Sequence, residues 1–403
     1  MASITPPALP LPSAEAAAHS RRVAAHIAEA ISAAGGRLDF ARFMELCLYA
    51  PSLGYYVAGA EKFGPGGDFI TAPEASPLFG RCLARQVAEL LTATGGGEVL
   101  ELGAGSGRMA LDLLTELARL GALPARYLIL EPGMELRRRQ RAMLESGGPQ
   151  LAGRVTWIDR LPRPGLCGVI LANELLDALP VRRFRITDEG PRPLAVSLAP
   201  DGFVWTLGDQ EPSLSAAIRR IEATLGRKLA PGYESELSEQ ASAWLQSLAE
   251  CLAVGAVLLL DYGYTRGEYY HPQRRSGTLV CHYRHRAHFD PLILPGIQDL
   301  SASVDFTALA EAGLAAGLQL AGYTSQAWFL LGCGLDELLA DAGTPDSVAY
   351  LEAARQVKLL TLPGEMGERF QALALTRGIE GPLRAFRLHQ RGDRLGLDPA
   401  LLH

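Results

Sequence analysis

The chain has no run of 18 apolar residues, so no membrane-crossing helix is expected. Its first twenty residues hold neither Arg nor Lys, and no basic segment precedes an apolar one. That pattern argues against a secretory signal. It also argues against an arginine-rich transit peptide, since Arg21 and Arg22 come only afterwards. Basic charge is not in excess. The net charge is −6, without the footprint of a general nucleic-acid binder. The six cysteines (Cys47, Cys82, Cys167, Cys251, Cys281 and Cys333) lack framework spacing. They read as reduced, mostly packed thiols of a cytoplasmic protein. No internal repeat is visible.

What is present suffices for a sizeable core: 403 residues, 48% of them apolar, in one large domain with insertions or in two. Residues 1–14 read as a flexible tail. Residues 15–77 read as N-terminal helices and a glycine-rich loop. Val23, Ile27, Ala30 and Ile31 share one side of a helix over Glu15 to Gly35. A shorter helix spans Asp39 to Leu48, before Pro51. The stretch from Gly54 to Thr71 is too irregular for a core element and serves either as a lid or as a surface connection.

Residues 78–403 read as the main domain. A helix over Phe79 to Leu91 leads to strands at Glu98–Leu102, Tyr127–Leu130, Val155–Ile158 and Gly168–Ala172. Strands alternating with helices predict an α/β fold with a parallel sheet. An insertion of about residues 187–250 holds a hairpin over Pro191 to Leu207 and a helix over Leu214 to Leu225. Ala256 to Asp261 is again a buried-strand pattern. Beyond it the reading is helical, from Phe306 to Gly317 and onward through residue 380.

The densest signal is Val99-Leu100-Glu101-Leu102-Gly103-Ala104-Gly105-Ser106-Gly107. A strand ends near an acid and runs into three alternate glycines, with a helix from Arg108 to Leu120 behind them. Such a turn lets backbone approach a nucleotide-like ligand closely. The dinucleotide fingerprint needs its third glycine three residues after the second; here Gly107 follows Gly105 by two. The form resembles the first motif of class I methyltransferases that use S-adenosyl-L-methionine (SAM). SAM has no pyrophosphate to cradle, and its cationic end suits a nearby carboxylate. Glu131 closes the next strand, where a carboxylate can accept ribose hydroxyls or cap the following turn.

Asn173 and Glu174 close a further strand, with Asp177 just beyond, where ligands of open α/β sheets bind. Glu174 or Asp177 could orient a cationic substrate and receive a proton, or serve as helix caps. Asp261 closes another buried strand as a candidate wall residue. Glu234 and Glu236 are either wall residues or a solvated helix start. Cys281 to His288 holds two arginines among its potential ligands and reads as a basic loop rather than a metal site.

Several segments together resemble the MidA-like family, methyltransferases related to mitochondrial complex I assembly factor seven. They are Gly54-Tyr55-Tyr56, Gly67 to Glu74, Phe79-Gly80, Glu101 to Gly107, Glu131-Pro132, Leu136 to Gln140, Asn173-Glu174, Asp177 to Pro180, Asp261-Tyr262-Gly263, Gly277-Thr278-Leu279, Val304-Asp305-Phe306, Met366-Gly367 and Phe370. The resemblance implies a Rossmann-like sheet with an N-terminal helical segment and with inserted and C-terminal substrate-side elements. It implies a SAM-dependent protein arginine methyltransferase that makes symmetric dimethylarginine on a quinone-side complex I subunit. Glu101, Gly103, Gly105 and Gly107 would hold SAM, and Glu131 its ribose. Asn173, Glu174 and Asp177 would face the substrate, with Asp261 beside them and the Gly67-Asp68 loop closing above. The expected partners are a protein substrate and a second copy of the chain, with no nucleic acid, membrane insertion or metal.

The chain departs from the family at Ala104, where proline is usual, and at Leu175 and Leu176, where two phenylalanines are usual. It also has Ser301-Ala302-Ser303 where Thr-Ala-His is frequent. A methyltransferase of another nitrogen or oxygen and a non-catalytic assembly factor remain open alternatives. A nicotinamide oxidoreductase is disfavoured by the glycine spacing.

Overall fold

A computed structural model describes residues 9–58 and 70–397. The chain divides into two units. One comprises Ile70–Leu176, Ala241–Thr265 and Val304–His403; the other comprises Met1–Phe69, Asp177–Gln240 and Arg266–Ser303.

The first unit is built on a twisted sheet. Its main strands are β1 (Glu98–Leu102), β2 (Arg126–Leu130), β3 (Val155–Ile158), β4 (Leu166–Asn173), β5 (Leu252–Tyr264), β6 (Gln319–Ser325) and β7 (Phe370–Arg377). Their order across the sheet is β6-β7-β5-β4-β1-β2-β3. β7 runs antiparallel to both neighbours, whereas β5, β4, β1, β2 and β3 are parallel. The parallel strands are near-continuous apolar runs because the sheet is covered on both faces. Val99, Leu100, Val169, Ile170, Val257 and Leu259 are all fully buried.

Four helices frame the relevant edge: α1 (Ala72–Ala75), α2 (Pro77–Ala93), α3 (Arg108–Arg119) and α4 (Met134–Ser146). Ser76 caps α2 by accepting from the Leu78 amide, and Pro77 sits at the first turn, where its missing N–H costs nothing. α3 buries Met109, Ala110, Leu113, Leu114 and Leu117, a stripe of helical spacing.

The other unit carries a five-stranded antiparallel sheet and a three-stranded one. Gly190–Ala199 and Gly202–Leu207 form the expected hairpin. Ala14–Ala33 and Phe40–Tyr49 are its N-terminal helices. The sequence sets the insertion at about 187–250. In the structure the departure from the sheet unit starts at Asp177, the chain is back by Ala241, and a second excursion runs from Arg266 to Ser303.

Two expectations are corrected. Residues 319–325 and 370–377 are strands, where the sequence reads as helix to residue 380. In the latter, Ala372, Leu373, Ala374 and Leu375 are good helix formers locally, but all four are buried in a sheet interior. Glu234–Leu237 is also a strand, so Glu236 is neither a solvated helix start nor an open wall residue. Glu236 is fully buried and accepts from Arg183 and from the Thr278 amide. No helix among the described residues is long and apolar enough to cross a membrane.

Candidate active site

The reversal of strand order falls between β4 and β1, and open α/β sheets bind ligands at the carboxyl ends of the strands flanking such a point. The carboxyl end of β1 is the glycine loop. Gly103, Gly105 and Gly107 have φ of +65°, +52° and +87°. Two of them are also closely approached by neighbouring residues. A Cβ on Gly103 would lie 2.7 Å from Leu175 Cδ1, and one on Gly107 would lie 3.1 Å from Gln140 Cα. Gly107 also stands immediately before α3, so the loop leads into that helix's amino end.

Glu101 lies beneath the loop and is fully buried. Its Oε2 accepts from the Tyr127 hydroxyl at 2.6 Å, while Oε1 has no hydrogen-bond partner among the described residues. Burial pushes its carboxyl up to about 7, against the Tyr127 bond, which lowers it. Glu131, at the end of β2, accepts from the Gly133 amide at 2.8 Å and from Gln140 Nε2 at 3.3 Å.

The carboxyl end of β4 supplies the opposite side. Asn173 is its last residue, and its buried Oδ1 has no partner among the described residues. Glu174 follows with φ +48°, a left-handed conformation that is uncommon outside glycine and that clusters at functional sites. Its Oε1 accepts from the Ala72 amide at 2.9 Å and from Asn173 Nδ2 at 3.2 Å. Its own amide donates to the Leu260 carbonyl at 2.9 Å.

Asp261 holds this turn from below. It is fully buried, and its Oδ2 accepts from the amides of Leu175 (3.2 Å) and Leu176 (2.9 Å). Its Oδ1 accepts from the Tyr262 amide. These bonds tie Asp261, the candidate wall residue, to the turn that carries Glu174. Asp177 belongs to the other unit, where it is buried and its carbonyl accepts from the Ala302 amide. Gly67 and Asp68, the expected lid residues, lie outside the described residues.

Two groups here escaped the sequence reading in these roles. Glu74 of α1 accepts a hydrogen bond from the Ser106 hydroxyl of the glycine loop. Gln140 contacts both the loop and Glu131. One signal was available for Gln140: it closes the Leu136 to Gln140 segment that carries part of the family resemblance.

A glycine cradle that added Cβ atoms would fill, an unpartnered carboxylate oxygen beside it and a second strand-end acid suit a ligand with a cationic end and a ribose. A family model for S-adenosyl-L-methionine-dependent methyltransferases matches residues 82–324. The chain belongs to this methyltransferase family. Among similar proteins, the mitochondrial protein arginine methyltransferase NDUFAF7 of Danio rerio is 30% identical, covering 92% of this chain and 89% of its own. That of Mus musculus is also 30% identical, over 84% of this chain and 81% of its own. A Burkholderia thailandensis crystal structure with bound S-adenosyl-homocysteine is 44% identical, with a TM-score of 0.91, covering 96% of this chain and 100% of that one. This methyltransferase therefore uses SAM as its cofactor, on a class I fold.

Proposed function

We propose that this methyltransferase modifies arginine side chains of a protein in the cytoplasm, and that its substrate is a quinone-side subunit of complex I, dimethylated symmetrically. The observation that carries the reading is the Glu174 turn. A carboxylate is held in a strained conformation at the end of β4, with an amide-bearing neighbour whose buried carbonyl oxygen lacks a partner among the described residues. The likeness to the protein arginine methyltransferase NDUFAF7 of Danio rerio and Mus musculus supports arginine as the target.

In this reading Gly103, Gly105, Gly107 and Glu101 bind the methionine part of SAM, and Glu131 binds its ribose. When bound, SAM supplies a methyl group on a positively charged sulfur. Guanidinium is a poor nucleophile because its charge is delocalised. Glu174 would pull that charge onto one nitrogen, leaving another with lone-pair character. It would also accept the proton lost when that nitrogen gains carbon, a general-base role. Asn173 Oδ1 would accept an N–H of the same group. Asp261 would keep Glu174 aimed.

The test is incubation with methyl-labelled SAM and extract of the host cell, followed by mass spectrometry. The expected product is symmetric dimethylarginine in one complex I subunit, absent with Glu174→Gln. Label confined to small metabolites, or an unchanged yield with Glu174→Gln, would overturn the reading.

A further inference from the structure

Gln140 is fully buried on α4, and its side-chain amide reaches three separate parts of the sheet unit. Its Oε1 accepts from Trp157 Nε1 at 2.8 Å. Its Nε2 donates to the Gly105 carbonyl at 3.1 Å and to Glu131 Oε2 at 3.3 Å. The orientation of the amide is fixed by chemistry. An indole N–H can only donate, and a carbonyl and a carboxylate can only accept. The Gln140 oxygen must therefore face Trp157, and its NH2 must face the other two.

The backbone is committed to this arrangement as well. Gly107 lets Gln140 approach: a Cβ there would sit 3.1 Å from its Cα and 3.3 Å from its Cβ. Arg141, the next residue, places its guanidinium 4.9 Å from the Trp157 ring centroid, which packs the indole from its face.

We propose that Gln140 is the positioning residue of the SAM site: oriented by Trp157, it sets the Glu131 carboxylate and the glycine loop in register with one another. The proposal rests on the reading of Glu131 as the ribose acid. Gln140 acts through Glu131 and Gly105. A ribose hydroxyl and a loop amide must be met by groups a fixed distance apart, and one rigid amide spans that distance.

The decisive variant is Gln140→Glu, which keeps the shape and replaces the donor by an oxygen. Two carboxylates in contact cannot both ionise readily, so one proton is shared at low pH. Shared, that proton restores the donor toward Glu131; once lost, the two groups repel. Of the charged groups on α4, Arg137 donates to the Glu131 carbonyl, Arg141 lies over the Trp157 ring, and Glu135 pairs with Arg138 and Arg139. They are common to both proteins and cancel in a ratio.

The experiment is calorimetric titration of S-adenosyl-homocysteine into wild type and Gln140→Glu at about pH 6 and pH 8.5. The expected result is a ratio of Kd values that rises about tenfold or more between the two, the scale of 1.4 kcal/mol. A ratio independent of pH overturns the proposal. Trp157→Phe keeps the ring and loses the orienting N–H. It should raise KM for SAM about three- to tenfold, as one neutral hydrogen bond would, with kcat at saturating SAM unchanged. Unchanged KM would overturn the orienting role even if Gln140→Glu failed to fold. Glu131→Gln separates the two readings. If it binds S-adenosyl-homocysteine as wild type does, the ribose assignment fails. If it binds weakly while the Gln140 ratio stays flat, only the Gln140 proposal fails.

Discussion

Glu101 shows what a single buried acid does to pH dependence. Its carboxyl ordinarily titrates near 4.5 and is raised to about 7 here by burial. Between those values the folded chain holds a proton that the unfolded chain releases. Stability therefore falls as pH rises through that window, by at most about 3 kcal/mol. Glu101→Gln has no such dependence. Its melting temperature relative to wild type should climb between about pH 5 and pH 8, and a gap that stays constant would refute the buried ionisation. Asp261 makes a different prediction. Asp261→Ala strands the Leu175 and Leu176 amides, at about 1–3 kcal/mol for each buried donor. Asp261→Asn keeps an acceptor oxygen and should recover much of that loss in thermal denaturation. At this scale the sequence was most legible for the placing of Glu101, Glu131, Asn173 and Glu174 at or near the carboxyl ends of strands. It was least legible for Asp261. A strand-end acid is visible in sequence, but whether it faces a ligand or a neighbouring turn depends on β4 lying beside β5.

Among the elements, the glycine loop is the most constrained. Gly107→Ala would force a side chain into φ +87° and against the Gln140 backbone. The left-handed conformation alone costs roughly 1–2 kcal/mol for a residue with a Cβ. The expected outcome is S-adenosyl-homocysteine binding weakened by about tenfold or more in calorimetry; wild-type affinity would mean the loop does not touch the ligand. β1 and β3 were legible to the residue, because short apolar runs between helices admit few readings. β6 and β7 were not. The Ala, Leu and Gln content of β7 favours helix, and only its pairing with β5 and β6 overrides that preference.

For the whole molecule, the strand order explains why residues distant in sequence, Glu101, Glu131 and Glu174, end at one edge. Consecutive crossovers bring β1, β2 and β4 to a common side. That much followed from alternating strands and helices. The division into two units did not, since Asp177–Gln240 and Arg266–Ser303 leave and rejoin the sheet unit without a linker-like composition. Because S-adenosyl-homocysteine binds only folded protein, a concentration of 100 times its Kd should add about 2.7 kcal/mol to stability. Differential scanning calorimetry should read this as a raised melting temperature, and the Gly107→Ala chain, at tenfold weaker binding, should gain only about half as much, about 1.4 kcal/mol, at the same concentration.

The interior place of β7 has a consequence for biosynthesis. A ribosome must extrude residues 370–377 before β5 gains its second neighbour. Until then the growing polypeptide displays a long, apolar, unzipped edge of the kind that captures other nascent chains. Synthesis halted after residue 369 should yield insoluble or chaperone-bound material, although every strand-end acid of the catalytic edge has already been made.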